Sequence, residues 1–228
     1  QMNKINLLLV VCNNVLNGTE RYVVDLAKHL PKDKFNVFVA VPVKGPLSEI
    51  LTENGIIELV YENGKTNDYS LKGLIRLYRL IKKHKIDIVH ANAKAHPCII
   101  GKLAGVKFNV ETRHGIFYSK QKLSNLPIVR KIYEYIKQFL VDGFIATSEN
   151  DKSTLIKYFN IKEKKIRVIY LGIDIEKMKE NCDGVFKFPT RVPGTPFMIG
   201  HIGRMTFQKA QEYLLEAFDI LSAKYPQI

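Results

Sequence analysis

Arg204 and Lys209 stand five positions apart in Ile199-Gly200-His201-Ile202-Gly203-Arg204-Met205-Thr206-Phe207-Gln208-Lys209, between an apolar run and a helical pattern. A guanidinium presents a planar fork of donors that matches a diphosphate, and an ammonium adds a compact point charge. Side by side they would neutralise charge developing on a departing phosphate, with Gly203 admitting the backbone to the same anion. Spacing alone leaves a second reading open, two solvated basic residues on a surface loop.

Two further segments carry chemistry. Val11-Cys12 closes an apolar run, and residues 13–21 lead into a helix with Tyr22, Val23, Leu26, Ala27 and Leu30 inward. Gly18 in that loop would let backbone N–H groups reach a phosphate, and the helix N-terminus adds partial positive charge. No G-x-G-x-x-G series is present, so the dinucleotide fingerprint is absent and an ordinary strand-to-helix turn fits the loop as well. In Glu111-Thr112-Arg113-His114-Gly115, His114 stands where a strand should end. Its imidazole could bond a hydroxyl or move a proton near neutral pH, or serve only as a structural hydrogen-bonder. His90 has a weaker claim, His29 and His84 fall on helix surfaces, and His201 falls in an expected buried strand.

Those residues need a scaffold to aim them. Apolar, β-branched runs of strand length fall at 5–11, 35–41, 57–61, 86–90, 108–111, 143–146, 167–170 and 197–202. Helix-period stripes alternate with them, such as Leu71, Leu74, Ile75, Tyr78 and Ile81, or Tyr213, Leu214, Ala217, Phe218 and Leu221. This βαβα order predicts an α/β fold, a Rossmann-like doubly wound parallel sheet with its function at the carboxyl edge. The expected organisation is a first domain at 1–171, a Gly- and Pro-punctuated linker at 172–195, and a second domain beginning at 196–228. One strand and one helix cannot bury their own apolar faces, so that second Rossmann-like domain is expected to be incomplete.

Composition narrows the classes further. The 228 residues are 46% hydrophobic and 25% charged, enough for one substantial core and the start of another. No run approaches the ~20 apolar residues of a membrane span. Cys12, Cys98 and Cys182 show neither disulfide nor zinc spacing, which fits a reducing cytoplasm. A formal charge of +13 implies anionic partners, yet no zinc-finger, RNP-type or basic-zipper pattern appears, so no nucleic acid is expected. Residues 117–140 offer a more specific partner. Ile128, Ile132, Tyr135, Ile136, Phe139 and Leu140 form one stripe with Arg130, Lys131 and Lys137 largely elsewhere, preceded by Phe117, Tyr118, Lys120 and Lys122. This suits peripheral docking to an anionic membrane surface, on its inner face. The alternative is a core-facing helix with a solvated basic back.

Six segments, in order and spacing, resemble the family-4 retaining glycosyltransferases (glycosyl transferases group 1) of the GT-B fold, over essentially the whole chain. They are the Gly18 loop ending Thr19-Glu20-Arg21, Asp87-Ile88-Val89-His90, Thr112-Arg113-His114-Gly115, Ala146-Thr147-Ser148-Glu149, Val168-Ile169-Tyr170-Leu171-Gly172-Ile173-Asp174, and Gly203-Arg204 with Gln208-Lys209. The resemblance implies transfer of a sugar from a nucleoside-diphosphate sugar to a glycan or lipid-linked acceptor, as in polysaccharide biosynthesis. It places Gly18 against the donor diphosphate, His114 at a hydroxyl of the donor sugar, and Gly203, Arg204 and Lys209 on the diphosphate. It implies neither metal nor other cofactor, and no Asp-x-Asp motif is present; Asp174 reads as a helix entry. Departures are Asn17 for the first of two usual glycines, Asn92 for a common second histidine, Leu171 for an Asn, and Ala210 for the glycine after Lys209. The family's paired glutamates would lie beyond Ile228, so the isolated chain is expected to be inactive. Rival readings are a sugar-nucleotide epimerase or glycan phosphorylase of the same fold, and a non-catalytic binding or membrane-adaptor module.

Overall fold

Seven short runs rich in Val, Ile, Leu and Phe form one parallel sheet in the computed structural model, which describes residues 4–61, 70–92, 94–115, 127–182, 199–206 and 209–225. The strands are β1 (Ile5–Val10), β2 (Phe35–Val41), β3 (Ile57–Val60), β4 (Ile88–Asn92), β5 (Phe108–Arg113), β6 (Gly143–Ala146) and β7 (Ile166–Val168), in the order β3-β2-β1-β4-β5-β6-β7. All six pairings are parallel. The chain divides into two compact units, Gln1–Leu171 and Gly172–Ile228, and the sheet belongs to the first.

Helices cover both faces of the sheet, which is why the strands read as continuous apolar runs rather than alternating ones. Leu7, Leu9 and Val11 on one face bury against Val23, Val24 and Ala27 of α1 (Gly18–His29) and Leu47 and Leu51 of α2 (Pro46–Glu53). Leu8, Val10, Val89 and Ala91 on the other bury with α3 (Leu71–Lys83), α4 (His96–Leu103) and α6 (Glu149–Phe159), through Leu77, Cys98 and Leu155. A fully buried Leu contributes about 2 kcal/mol, and truncating Leu8 or Leu9 to Ala would cost about 3 kcal/mol.

Strand ends fall within two residues of expectation, and the shift of β4 has a local cause. Lys85 takes a left-handed φ of 48° after α3, its N–H bonds Lys82 O at 3.2 Å and Ile86 N–H bonds Ile81 O at 3.1 Å. These bonds close the helix, so Ile86 finishes a turn instead of opening the strand. The inward line of α3 also differs from the expected stripe: Gly73, Leu77 and Ile81 are buried while Leu71, Ile75 and Tyr78 are exposed. A glycine on the packing line lets the helix axis approach the sheet, and the bulky neighbours are turned outward.

The larger departure is α5 (Ile128–Leu140), which is built inside out. Its buried residues are Glu134, Lys137 and Gln138, whereas Ile128, Val129, Ile132, Tyr135, Ile136 and Phe139 are all exposed. The core-facing alternative for this helix is thereby overturned. Beneath it, Glu111 and Arg113 of β5 meet Glu134 and Lys137, giving two negative and two positive charges. Arg113 Nη2 donates to Glu134 Oε2 at 2.9 Å, Arg113 Nε lies 2.7 Å from Glu111 Oε1, and Lys137 Nζ lies 3.1 Å from Glu111 Oε2 and also contacts Glu134. A compensated set of this kind tolerates burial that a single charge would not.

In the second unit, α7 (Ile175–Cys182) occupies part of the expected linker, entered at Asp174, whose carbonyl accepts from Met178 N–H at 3.1 Å. Residues 199–202 form no strand, because among the described residues of this unit no neighbouring strand can pair their backbone. Residues 197 and 198 of that expected strand lie outside the described residues. His201 is accordingly exposed rather than buried. The second helix, α8 (Gln211–Lys224), has no buried residue, so its expected inward stripe is not buried.

Candidate active site

The strand order reverses between β1 and β4, and the connections leaving them go to opposite faces, which opens a crevice at the carboxyl edge. Residues 11–17 and the N-terminus of α1 form one side. Asn17 is the extended N-cap (φ −98°, ψ −175°), and Gly18 is the first helical residue. A Cβ on Gly18 would meet nothing within 4 Å, and Gly18 lies outside the left-handed region. The fold itself therefore places no demand for glycine there. Buried Asn14 anchors the loop: its Oδ1 accepts from Leu47 N–H at 2.9 Å, and its Nδ2 donates to Val43 O and to Ser48 Oγ.

The other side is a buried polar cluster that reasoning from sequence assembled only in part. His114 Nε2 lies 3.1 Å from Asn92 Oδ1, and the Tyr22 ring meets the imidazole edge-on at 4.8 Å. His90 Nε2 lies 2.6 Å from Thr112 Oγ1, the hydroxyl that Tyr22 also bonds. Burial holds His114 at about 4, and burial together with neighbouring His114 holds His90 at about 4, so both rings are neutral near pH 7. Burial raises the Tyr22 hydroxyl, against the lowering effect of its bond to Thr112. Glu20, two residues before Tyr22, is also buried; desolvation raises its carboxyl, opposed by backbone N–H groups of Glu20 and Asn17.

The first unit thus unites two of the expected residues, Gly18 and His114, through Tyr22, which lies one helical turn after Gly18. It adds Tyr22, Asn92 and Thr112, which sequence reasoning did not assign to a site. Asn92 and Thr112 are register partners in the β4–β5 ladder, a relation no linear motif displays. One clue was available: Tyr22 is four residues from Gly18, on one side of a helix.

Gly203, Arg204 and Lys209 belong to the second unit. Gln211 Nε2 donates to Arg204 O at 2.8 Å, and Lys209 N–H to Thr206 O at 2.9 Å. A Cβ on Gly203 would stand 3.2 Å from His201 Cε1 and 3.4 Å from Lys209 Cγ, so glycine keeps the lysine stem close. Arg204 and Lys209 are exposed. Ala210, at the position where the resembled family has glycine, takes a left-handed φ of 56°, which disfavours a residue with a Cβ by about 1 kcal/mol. Among the described residues no group of three His, Cys, Asp or Glu could hold a metal ion, and no helix is long and apolar enough to cross a membrane.

The family model for Glycosyltransferase Family 4 matches residues 16–177, from the Gly18 loop into the start of α7. The chain belongs to that family. A relative from Escherichia coli, named UDP-Gal:alpha-D-GlcNAc-diphosphoundecaprenol alpha-1,3-galactosyltransferase, is 28% identical over 94% of this chain and 57% of its own length. The crystal structure of a glycosyltransferase from Rickettsia africae superposes with a TM-score of 0.67 at 25% identity, over 97% of this chain and 58% of that one. The Anabaena protein HepE, solved in complex with UDP, shares the fold at 19% identity and a TM-score of 0.67, over 98% and 59%. The family-4 chain described here therefore spans little more than half the length of these relatives.

Proposed function

We propose that this family-4 protein transfers a hexose from a UDP-sugar to a glycan carried on a lipid diphosphate, with retention at the anomeric carbon. The observation that carries the reading is a neutral imidazole, His114, held beside a helix N-terminus whose first residue, Gly18, leaves its side-chain space empty. The partial positive charge of the helix end suits a diphosphate, and His114 suits a hydroxyl of the attached sugar. Arg204, Lys209 and Gly203, taken by themselves in the second unit, carry donors and charge that suit a diphosphate. The bond from the anomeric carbon to the phosphate oxygen breaks as the acceptor oxygen bonds on the same face, and the acceptor proton passes to the departing phosphate. Two cations offset the leaving charge, so no metal or further cofactor is required in this reading. The names of the E. coli relative and of the HepE complex support the choice of donor and acceptor.

The test is a donor screen on the full-length gene product with a lipid-diphosphate-linked N-acetylglucosamine acceptor, with and without EDTA. Arg204→Ala and Lys209→Ala are each expected to lower kcat by roughly 100-fold or more on the true donor. Wild-type rates in both would remove the leaving-group assignment, and loss of turnover in EDTA would remove the metal-free one.

We further propose that α5 rests on an anionic bilayer, on the leaflet that faces the sugar-nucleotide supply. Support comes from its outward apolar face and from an apolar groove of about 390 Å³ between α5 and the end of α6, walled by Ile128, Ile132, Tyr135 and Tyr158 with Lys131 and Lys157 at hand. A net charge of +13 complements such a surface. The part of the docking segment at 117–126 lies outside the described residues. Flotation with phosphatidylglycerol vesicles is expected to carry the chain, and Ile132→Glu with Ile136→Glu to abolish it. Equal recovery on neutral phosphatidylcholine would refute the charge dependence.

A further inference from the structure

His114 has two ring nitrogens, and the structure determines which one carries hydrogen. Asn92, whose side chain is buried, places its Nδ2 3.5 Å from Val10 O and 3.3 Å from His90 O. Both neighbours are carbonyl oxygens, which only accept, so the amide nitrogen must face them and the amide oxygen must face His114. An amide oxygen also only accepts. The His114 Nε2 at 3.1 Å from it must therefore donate, and in a neutral ring Nδ1 is left with the lone pair. Among the described residues Nδ1 has no hydrogen-bond partner, and the edge of Tyr22 at 4.8 Å braces the ring in this pose. His90 cannot compete for the amide oxygen, because its Nε2 is held by Thr112 Oγ1 at 2.6 Å.

We propose that Asn92 is a positioning residue that fixes His114 as the Nε2–H tautomer, so that the imidazole meets its ligand as an acceptor. The site then selects a donor sugar that presents an O–H at that point, since an ether oxygen or a fluorine there has no hydrogen to give. The proposal rests on the reading that His114 faces the sugar of the nucleotide donor, but the tautomer itself does not. Asn92, a departure from the histidine common in the family, thereby gains a reason: an amide has one end that can only accept, whereas a second imidazole could serve either way.

Long-range proton–nitrogen correlation of the ¹⁵N-histidine-labelled chain near neutral pH, assigned through His114→Gln, reads the tautomer without any substrate. A protonated Nε2 and an unprotonated Nδ1 are expected. The reverse pattern, or averaged shifts of two exchanging tautomers, overturns the proposal. Asn92→Asp keeps an acceptor but makes it a carboxylate, so His114 should keep Nε2–H and titrate at a higher pH than in the parent, where burial holds it down. An unmoved titration would show that residue 92 does not set the ring. For the selection, deoxyfluoro and O-methyl analogues of the true donor are assayed with the full-length gene product. Replacement of one particular hydroxyl is expected to lower kcat/KM roughly 100-fold in the parent, and much less in His114→Gln, whose amide can donate or accept. Parent-level turnover of every fluorinated donor would refute the selection. Failure of the transferase reading would instead appear as no turnover of any sugar nucleotide, with the nitrogen spectrum still deciding the tautomer.

Discussion

Strand β5 buries polar side chains on both of its faces and keeps each set by a different physical means. Glu111 and Arg113 point toward α5, where opposite charges compensate one another. Thr112, and His114 just past the strand, point toward α1, where the imidazoles of His90 and His114 stay uncharged near neutral pH and are held by hydrogen bonds to Thr112 and Asn92. The charged side holds an element in place. The neutral side holds two imidazoles as hydrogen-bonding groups that carry no charge near neutral pH. One strand can do both because its side chains alternate in direction.

The largest effect should come from unbalancing the charged side. Lys137→Met leaves Arg113 alone against two buried carboxylates and is expected to cost about 3–5 kcal/mol, read from urea unfolding. If the loss is under 1 kcal/mol, the network is not what fastens α5. The neutral side should fail under acid instead. His90 and His114 sit at about 4, below the ~6.5 of an unfolded histidine. The unfolded chain therefore binds their protons first, so their stabilisation is complete above about pH 6.5 and is lost as pH falls from there toward 4. The drop should be on the order of 3 kcal/mol for each histidine, and His90→Phe should remove its share. A pH-independent unfolding free energy across that window would contradict the neutral character of the cluster.

A smaller change separates hydrogen bonding from packing on the neutral side. Thr112→Val keeps the shape but removes the hydroxyl shared by His90 and Tyr22, with an expected cost of about 1–3 kcal/mol in thermal or urea unfolding. The smallest effect on folding belongs to the mouth of the crevice. Gly18→Ala, with nothing within 4 Å of the new methyl, should leave stability within about 0.5 kcal/mol while weakening UDP-sugar binding measured by calorimetry on the full-length gene product. A marked loss of stability would mean that the fold, not a ligand, requires this glycine.

The same contrast governs how much of the molecule is legible in its sequence. Buried parallel strands are uninterrupted apolar runs, so β1, β2 and β6 were visible as such, and the edge rule then put Gly18 and His114 on one side of the sheet. The charged side was hidden. A helical period reveals that α5 has two unlike faces but not which one turns inward, because Glu134 and Lys137 find their partners on β5, more than twenty residues earlier. The neutral cluster was half visible for a related reason: Asn92 and Thr112 meet through strand register, which local sequence does not encode. In the second unit, a strand-like run at 199–202 has no ladder to join among the described residues, so propensity alone could not make it a strand.

The outward grease of α5 has a consequence for how such a chain would come and go from a surface. Because its underside is already fastened by charge, the helix need neither melt nor rotate when its upper side changes solvent. Attachment and release would then be a matter of diffusion and ionic strength, reversible by a salt wash that leaves the tertiary structure untouched.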